Sequence, residues 1–449
     1  MEWLARLPRA VRGGIGALVL GGLVSGASAQ QKLDIAPRAT VAIRDARLVT
    51  VSGEVIERGT LVIRDGKIAA VGAPAAIPAG AQIIDGRGLT VYPGMIDAAT
   101  SLGLVEIPAV AATVDQGEVG DYNPNARALV AVNPHSAHVR VTRYNGITTV
   151  ATMPDGGVIC GQAALINLYG TSPQEMAVVP SLGLVVNFPR LNLGGGGPFG
   201  AFRQPPPANL AEAIATRDRR VEELRQVLRE AADYLRAKEA AAADPKIPRP
   251  ATNVVYESLI PTLRRETPVF FRADRAQDIR AVLAFAEDMG LRPIIVGGND
   301  AWMCAEELKA KQVPVILTGV LDLPAREDDP YDVLYENAAK LHRAGVKFCI
   351  STGDNGAHVR DLPYHAGMAA AFGLDPKEAL RAVTLSPAEI LGVSDRLGSL
   401  DVGKIANVVV ADGDLLEPRT RVKYAFIDGR PAQLTSRHTE LYEQFRERK

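Results

Sequence analysis

A chain of 449 residues with 47% apolar content is long enough for one large globular domain and a smaller one. Its 50 basic and 51 acidic side chains leave a formal net charge of −1, which removes the case for a nucleic-acid surface or a strongly charged partner. The three cysteines, Cys160, Cys304 and Cys349, are too few and too widely spaced for a disulfide framework or a zinc cluster, and are expected as buried thiols.

Arg6, Arg9 and Arg12 precede the apolar run GGIGALVLGGLVSG, and Ala27-Ser28-Ala29 stand before Gln30. That is the pattern of a secretory signal peptide over residues 1–29, its apolar run too short to cross a bilayer. No second long apolar run follows, so the expectation is an exported protein, periplasmic or extracellular, with no membrane span after removal of the leader.

From Val41 to Asp97 short strand-like runs are broken by turn pairs, and Asp65-Gly66 and Asp85-Gly86 both read as hairpin signals. The same texture returns in GSLDVGKIANVVVADGDLL and RVKYAFIDGRPA. One composite β-sandwich is therefore expected from residues 38–92 and 398–434, followed by a C-terminal helical tail at 435–449.

Between them, residues 93–397 alternate. YPGMIDA, GITTVATM, QAALINL, LGLVVNF, TPVFFRA, RPIIVGG, VPVILTG and VKFCIST are apolar runs, several followed by amphipathic helices such as AQDIRAVLAFAEDMG. Eight strands alternating with helices predict an α/β protein built on a parallel (β/α)8 TIM barrel. LNLGGGGPFGAFRQPPP and the charged helix after it, with Val221, Leu224, Leu228, Ala231 and Leu235 at helical spacing, form an insertion near 190–250, and its loop is either a lid or a solvated segment.

The runs GTLVIRDGKIAAVG, AQIIDGRGLTVYPGMID and AVTLSPAEILGVSDRLGSLDVGKIANVVVADGDLL, with the barrel pattern between them, resemble the amidohydrolase superfamily, and most closely its imidazolonepropionase-like members. The resemblance covers nearly all of the chain after the leader. It implies a metal-dependent-hydrolase barrel in which zinc or another divalent metal, at the C-terminal mouth, activates a water that attacks an amide or related carbon. It further implies a His-x-His pair after the first strand, a His after each of the fifth and sixth, and an Asp after the eighth.

In this chain those places fall on Ala99 and Ser101, on Arg272, on Gly297 and on Asp354. Alanine cannot ligate, glycine offers only its backbone, and a guanidinium repels a cation. No metal is expected at Ala99, Ser101 and Gly297, and no cofactor is expected at all. Asp354 remains as the candidate catalytic base, and Arg272, expected to pair with it in the space of the ion, is a candidate ligand-binding residue together with His358, Asn299 and Arg360. Asp274, Arg275, Asp300 and Tyr364 are further pocket candidates. A relocated metal would draw on Asp354, His358 and His365. His135 and His138, three apart on an expected helix, read as surface residues.

Two functions stay open. One is hydrolysis of carbon–nitrogen bonds other than peptide bonds, for example in cyclic amides, as the resemblance implies. The other is a catalytically silent barrel that binds a small molecule or pairs with an active relative. A homodimer is an expectation carried by the family alone.

Overall fold

Asp65 and Gly66 both adopt left-handed backbone (φ 54° and 79°), which is what a two-residue turn between right-twisted strands requires. They join β2 (Ile56–Arg64) to β3 (Lys67–Gly72), and β2 also pairs antiparallel with β1 (Val41–Leu48). The computed structural model describes residues 36–73, 75–191, 209–353 and 356–448. The expected leader, the Gly- and Pro-rich stretch after Leu191, and Asp354 lie outside these residues.

The second turn pair does not make a hairpin. β4 (Gln82–Asp85) and β5 (Thr90–Pro93) both run parallel to β1, one after the other along its length. Gly86 lies where this edge presses on β1: a Cβ there would stand 2.6 Å from the Ala46 side chain and 2.8 Å from the Arg44 carbonyl. Close backbone approach, not a reversal of the chain, is the reason for this glycine.

The barrel follows as β6 (Met95–Thr100), β7 (Ile147–Thr152), β8 (Ile159–Asn167), β9 (Ala177–Asn187), β10 (Val269–Ala273), β11 (Pro293–Gly297), β12 (Val315–Leu317) and β13 (Phe348–Ile350), neighbours in that order. All eight apolar runs are strands, but β8 is antiparallel to both β7 and β9, so the sheet is not wholly parallel as expected. The cause is connection length. Only residues 153–158 separate β7 from β8, too few for the crossover that a parallel neighbour needs. Inside the barrel, Ile96, Ala98, Leu165, Val185, Phe270, Val296, Ile316 and Cys349 form one apolar cluster.

The chain then returns through β14 (Val408–Ala411), β15 (Val422–Ile427) and β16 (Arg430–Ala432). β14 pairs antiparallel with β5, so strands from both ends share one sheet of order β16-β15-β14-β5-β1-β2-β3, with β4 beside β1. Hydrogen bonding makes this one sheet, and Ile43, Leu48, Leu61, Ile68, Val91, Val408 and Phe426 are among its shared core.

Between β9 and β10 runs the helix Leu210–Ala243, capped by Asn209, whose side chain accepts from the Glu212 N–H. It buries Ala213, Leu224, Leu228 and Ala231 on one stripe, and Leu224 and Leu228 face Phe271 and Phe285. The expected insertion is thus also the crossover helix of this unit. A last helix, Arg437–Phe445, starts in a capping box at Ser436, and its Glu440 meets Arg140 at 3.2 Å. No helix among the described residues is long and apolar enough to cross a membrane.

Candidate functional site: the barrel mouth

On β10, Phe270 belongs to the barrel interior, so Arg272, two residues on, rises from the same inward face at the mouth. Its Nη1 donates to Asp155 Oδ1 at 2.7 Å and to Asn187 Oδ1 at 3.0 Å, and Nη2 donates to the Pro154 carbonyl at 3.0 Å. Asp155 sits in the short β7–β8 turn, and Asn187 ends β9. Asn187 Nδ2 also donates to Asp155 Oδ1 at 2.9 Å, and the Gly156 N–H donates to the same oxygen at 2.8 Å. Burial pushes the Asp155 carboxyl up, but the Arg272 charge, the Asn187 amide and the Gly156 N–H outweigh it and hold the group below the usual carboxylate range. Arg272 therefore has a carboxylate partner in Asp155, contributed by the β7–β8 turn; the expected partner, Asp354, is outside the described residues.

The other places that the resemblance assigns to metal ligands are equally specific in what fills them. Ala99 is buried at the end of β6, its N–H bonded to Asp97 Oδ1 and Ser351 Oγ. Ser101 lies just beyond that strand. At Gly297 a Cβ would stand 2.3 Å from Asp274 Oδ1, so the Asp274 carboxylate already occupies the room of a side chain there. Desolvation pushes the Asp274 carboxyl up against the pull of Arg190, and Asp322 adds to the rise. Alanine, serine, arginine and a space-filled glycine are not a donor set for a divalent ion. Among the described residues, no three His, Cys, Asp or Glu side chains come together in a group able to hold a metal.

Asp97 escaped the sequence reading as a site residue. It is fully buried, and it joins the two ends of the barrel sheet. Ser351 Oγ and Thr352 Oγ1 donate to its two oxygens, the latter at 2.6 Å, and the N–H groups of Thr352 and Ala99 each donate at 3.2 Å. The Gly353 N–H completes the seam on the Ala99 carbonyl at 3.1 Å. Desolvation lifts the Asp97 carboxyl to about 6, with these hydrogen bonds pulling it back.

The remaining candidates spread out. His358 is exposed, its Nδ1 3.0 Å from Asp361 Oδ2, whereas His365 is buried in the helix Leu362–Ala371. The Arg360 carbonyl and the Tyr364 hydroxyl accept from Asn145 Nδ2, which ties that segment to the helix Ala137–Tyr144. Asp300 receives Arg326 through both oxygens at 3.0 Å and also accepts the Ala276 N–H. Arg275 is the N-cap residue of the helix Ala276–Asp288, and Asn299 Oδ1 lies over Gly319. His135 precedes the helix on which it was expected. His138 is in the first turn of that helix, half-buried, its Nε2 3.0 Å from the Glu106 carbonyl. All three cysteines are buried and free, and burial pushes the Cys160 thiol, near Arg272, up to about 11.

Asp155 and Asn187 were also missed. The signals present were a polar residue closing the apolar run LGLVVNF and an Asp before two glycines in a turn too short for a helix.

Residues 273–432 match the amidohydrolase family. The chain is 24% identical over 398 residues to amidohydrolase tasK of Hapsidospora irregularis, a match spanning 83% of this chain and 39% of that protein. It is 35% identical over 82 residues to the imidazolonepropionase of Syntrophobacter fumaroxidans, covering 18% of this chain and 19% of that one. The chain thus spans well under half the length of either. Its fold is similar to the crystal structure of an amidohydrolase from Thermotoga maritima, with TM-score 0.77 and 24% identity over 88% of this chain and 99% of that one. The family typically works with divalent metals such as zinc.

Proposed function

We propose that this amidohydrolase-family protein binds a small molecule at its barrel mouth without the family's metal-dependent hydrolysis. The observation that carries this reading is Arg272, a fixed positive charge with three oxygen partners at the end of the fifth barrel strand, where the resemblance calls for a neutral imidazole. A guanidinium with its charge compensated by a carboxylate makes an internal plug at that corner, and it repels an ion placed beside it. Export to the periplasm or beyond, and assembly as a homodimer or with an active relative, belong to the same proposal.

The second reading is hydrolysis of a carbon–nitrogen bond such as that of a cyclic amide, with Asp354 as base. The amidohydrolase-family domain favours it. The two separate in an assay of the purified protein on cyclic amides and ureides, with and without chelator. No chelator-sensitive turnover is expected. Turnover that a chelator abolishes and zinc restores would overturn the metal-free reading in favour of hydrolysis.

A further inference from the structure

The mouth pair has donors and an acceptor to spare. A guanidinium carries five N–H groups, and Arg272 uses both of those on Nη1 and one on Nη2. Its Nε–H and one Nη2–H have no partner among the described residues. Asp155 receives all its hydrogen bonds on Oδ1, and Oδ2 has no partner among the described residues on a side chain that is 48% exposed. The carboxylate cannot swing freely, because the Asp155 N–H is tied to the Gln116 carbonyl at 2.6 Å and its other oxygen is held by three donors. A fixed positive group and a fixed negative group, in direct contact, therefore each present an unused hydrogen-bonding edge.

The charge balance narrows what fits. The pair is neutral as a unit, so a lone anion on Arg272 meets the repulsion of Asp155, and a lone cation on Asp155 meets that of Arg272. A ligand with both charges close together satisfies both edges and leaves the balance unchanged. We propose that the Arg272–Asp155 pair is a receptor for a zwitterionic small molecule of the α-amino-acid kind, its carboxylate on Arg272 and its ammonium on Asp155 Oδ2. This rests on the metal-free reading of the mouth, since an ion there would compete for Asp155.

L-Leucine, N-acetyl-L-leucine, which keeps only the acid, and L-leucinamide, which keeps only the ammonium, are probes differing in charge at one skeleton. Titrated calorimetrically into the full mature chain, leucine is expected to bind tighter than either analogue by about tenfold or more, the usual worth of one charge-assisted hydrogen bond. Asp155→Asn, close in shape but uncharged, should bring leucine down to the level of N-acetyl-L-leucine. Arg272→Lys, which keeps the charge and loses the fork, should weaken both acids by more than it weakens L-leucinamide. Equal affinity for all three probes, or leucine binding indifferent to Asp155→Asn, would overturn the proposal. So would a folded protein that binds none of them, an outcome distinct from failure of the metal-free reading, which shows as zinc-restored turnover.

Discussion

Asp97 is the residue at which burial and hydrogen bonding are most closely opposed. Four donors point at its two oxygens, yet desolvation wins and the carboxyl titrates near 6 against an ordinary value of 3.8. Below the ordinary value both folded and unfolded chains hold the proton, and stability from this group is fully present. Between about pH 4 and pH 6 only the folded chain holds it, so stability falls as pH rises, by on the order of 3 kcal/mol for a shift of about two pH units. Ser351 fits both states, since its Oγ lies 3.0 Å from the Ala99 carbonyl as well as against Asp97 and its hydroxyl can turn to that carbonyl when Asp97 is protonated. Asp97→Asn is expected to lower stability overall, by stranding one N–H donor against an amide, and to remove this fall between pH 4 and pH 7. Urea unfolding of both proteins at the two pH values measures it. An equal pH dependence in wild type and variant would show that Asp97 is not the titrating group.

At the scale of elements, the strands were legible because each is a mainly apolar run, but their directions were not. β8 is buried along its whole length, as it would be in a parallel sheet, and only the six-residue connection before it forces the reversal. The same holds for Asp85-Gly86: the pair looks like Asp65-Gly66 in sequence, yet one serves close packing on β1 and the other a turn. The helix Leu210–Ala243 was legible in its stripe, whose buried members include Leu224, Leu228 and Ala231. Leu228 is 2% exposed and, with Leu224, meets Phe271 and Phe285, which joins the helix to the fifth strand and the helix after it. Leu228→Ala is expected to cost about 2–4 kcal/mol of unfolding free energy. Leu235→Ala, on the same stripe but only half-buried, should cost less. Equal losses at both positions would mean that the stripe does not pack as described.

For the whole molecule, what the sequence held was composition and local pattern, and what it lacked was contact across distance. The textures at the two ends are alike, and β5 and β14 do pair in one sheet. At the mouth, Ala99, Ser101, Arg272 and Gly297 were readable one by one, because each is a residue identity at a place that the resemblance assigns to a ligand. The partner of Arg272 was not, since Asp155 lies 117 residues away in the chain and reaches it only through the reversed strand. Arg272 at the corner of the fifth strand, compensated by Asp155 and hydrogen-bonded to Asn187, is the feature on which the metal-free reading stands. Its most direct test is the metal content of the full-length protein after incubation with excess zinc and exhaustive dialysis, read by elemental analysis. Far less than one ion per chain is expected on that reading, because the residues at the places the resemblance assigns to ligands offer no donor set. About one tightly held zinc per chain would contradict it and return the protein to the metal-dependent hydrolases.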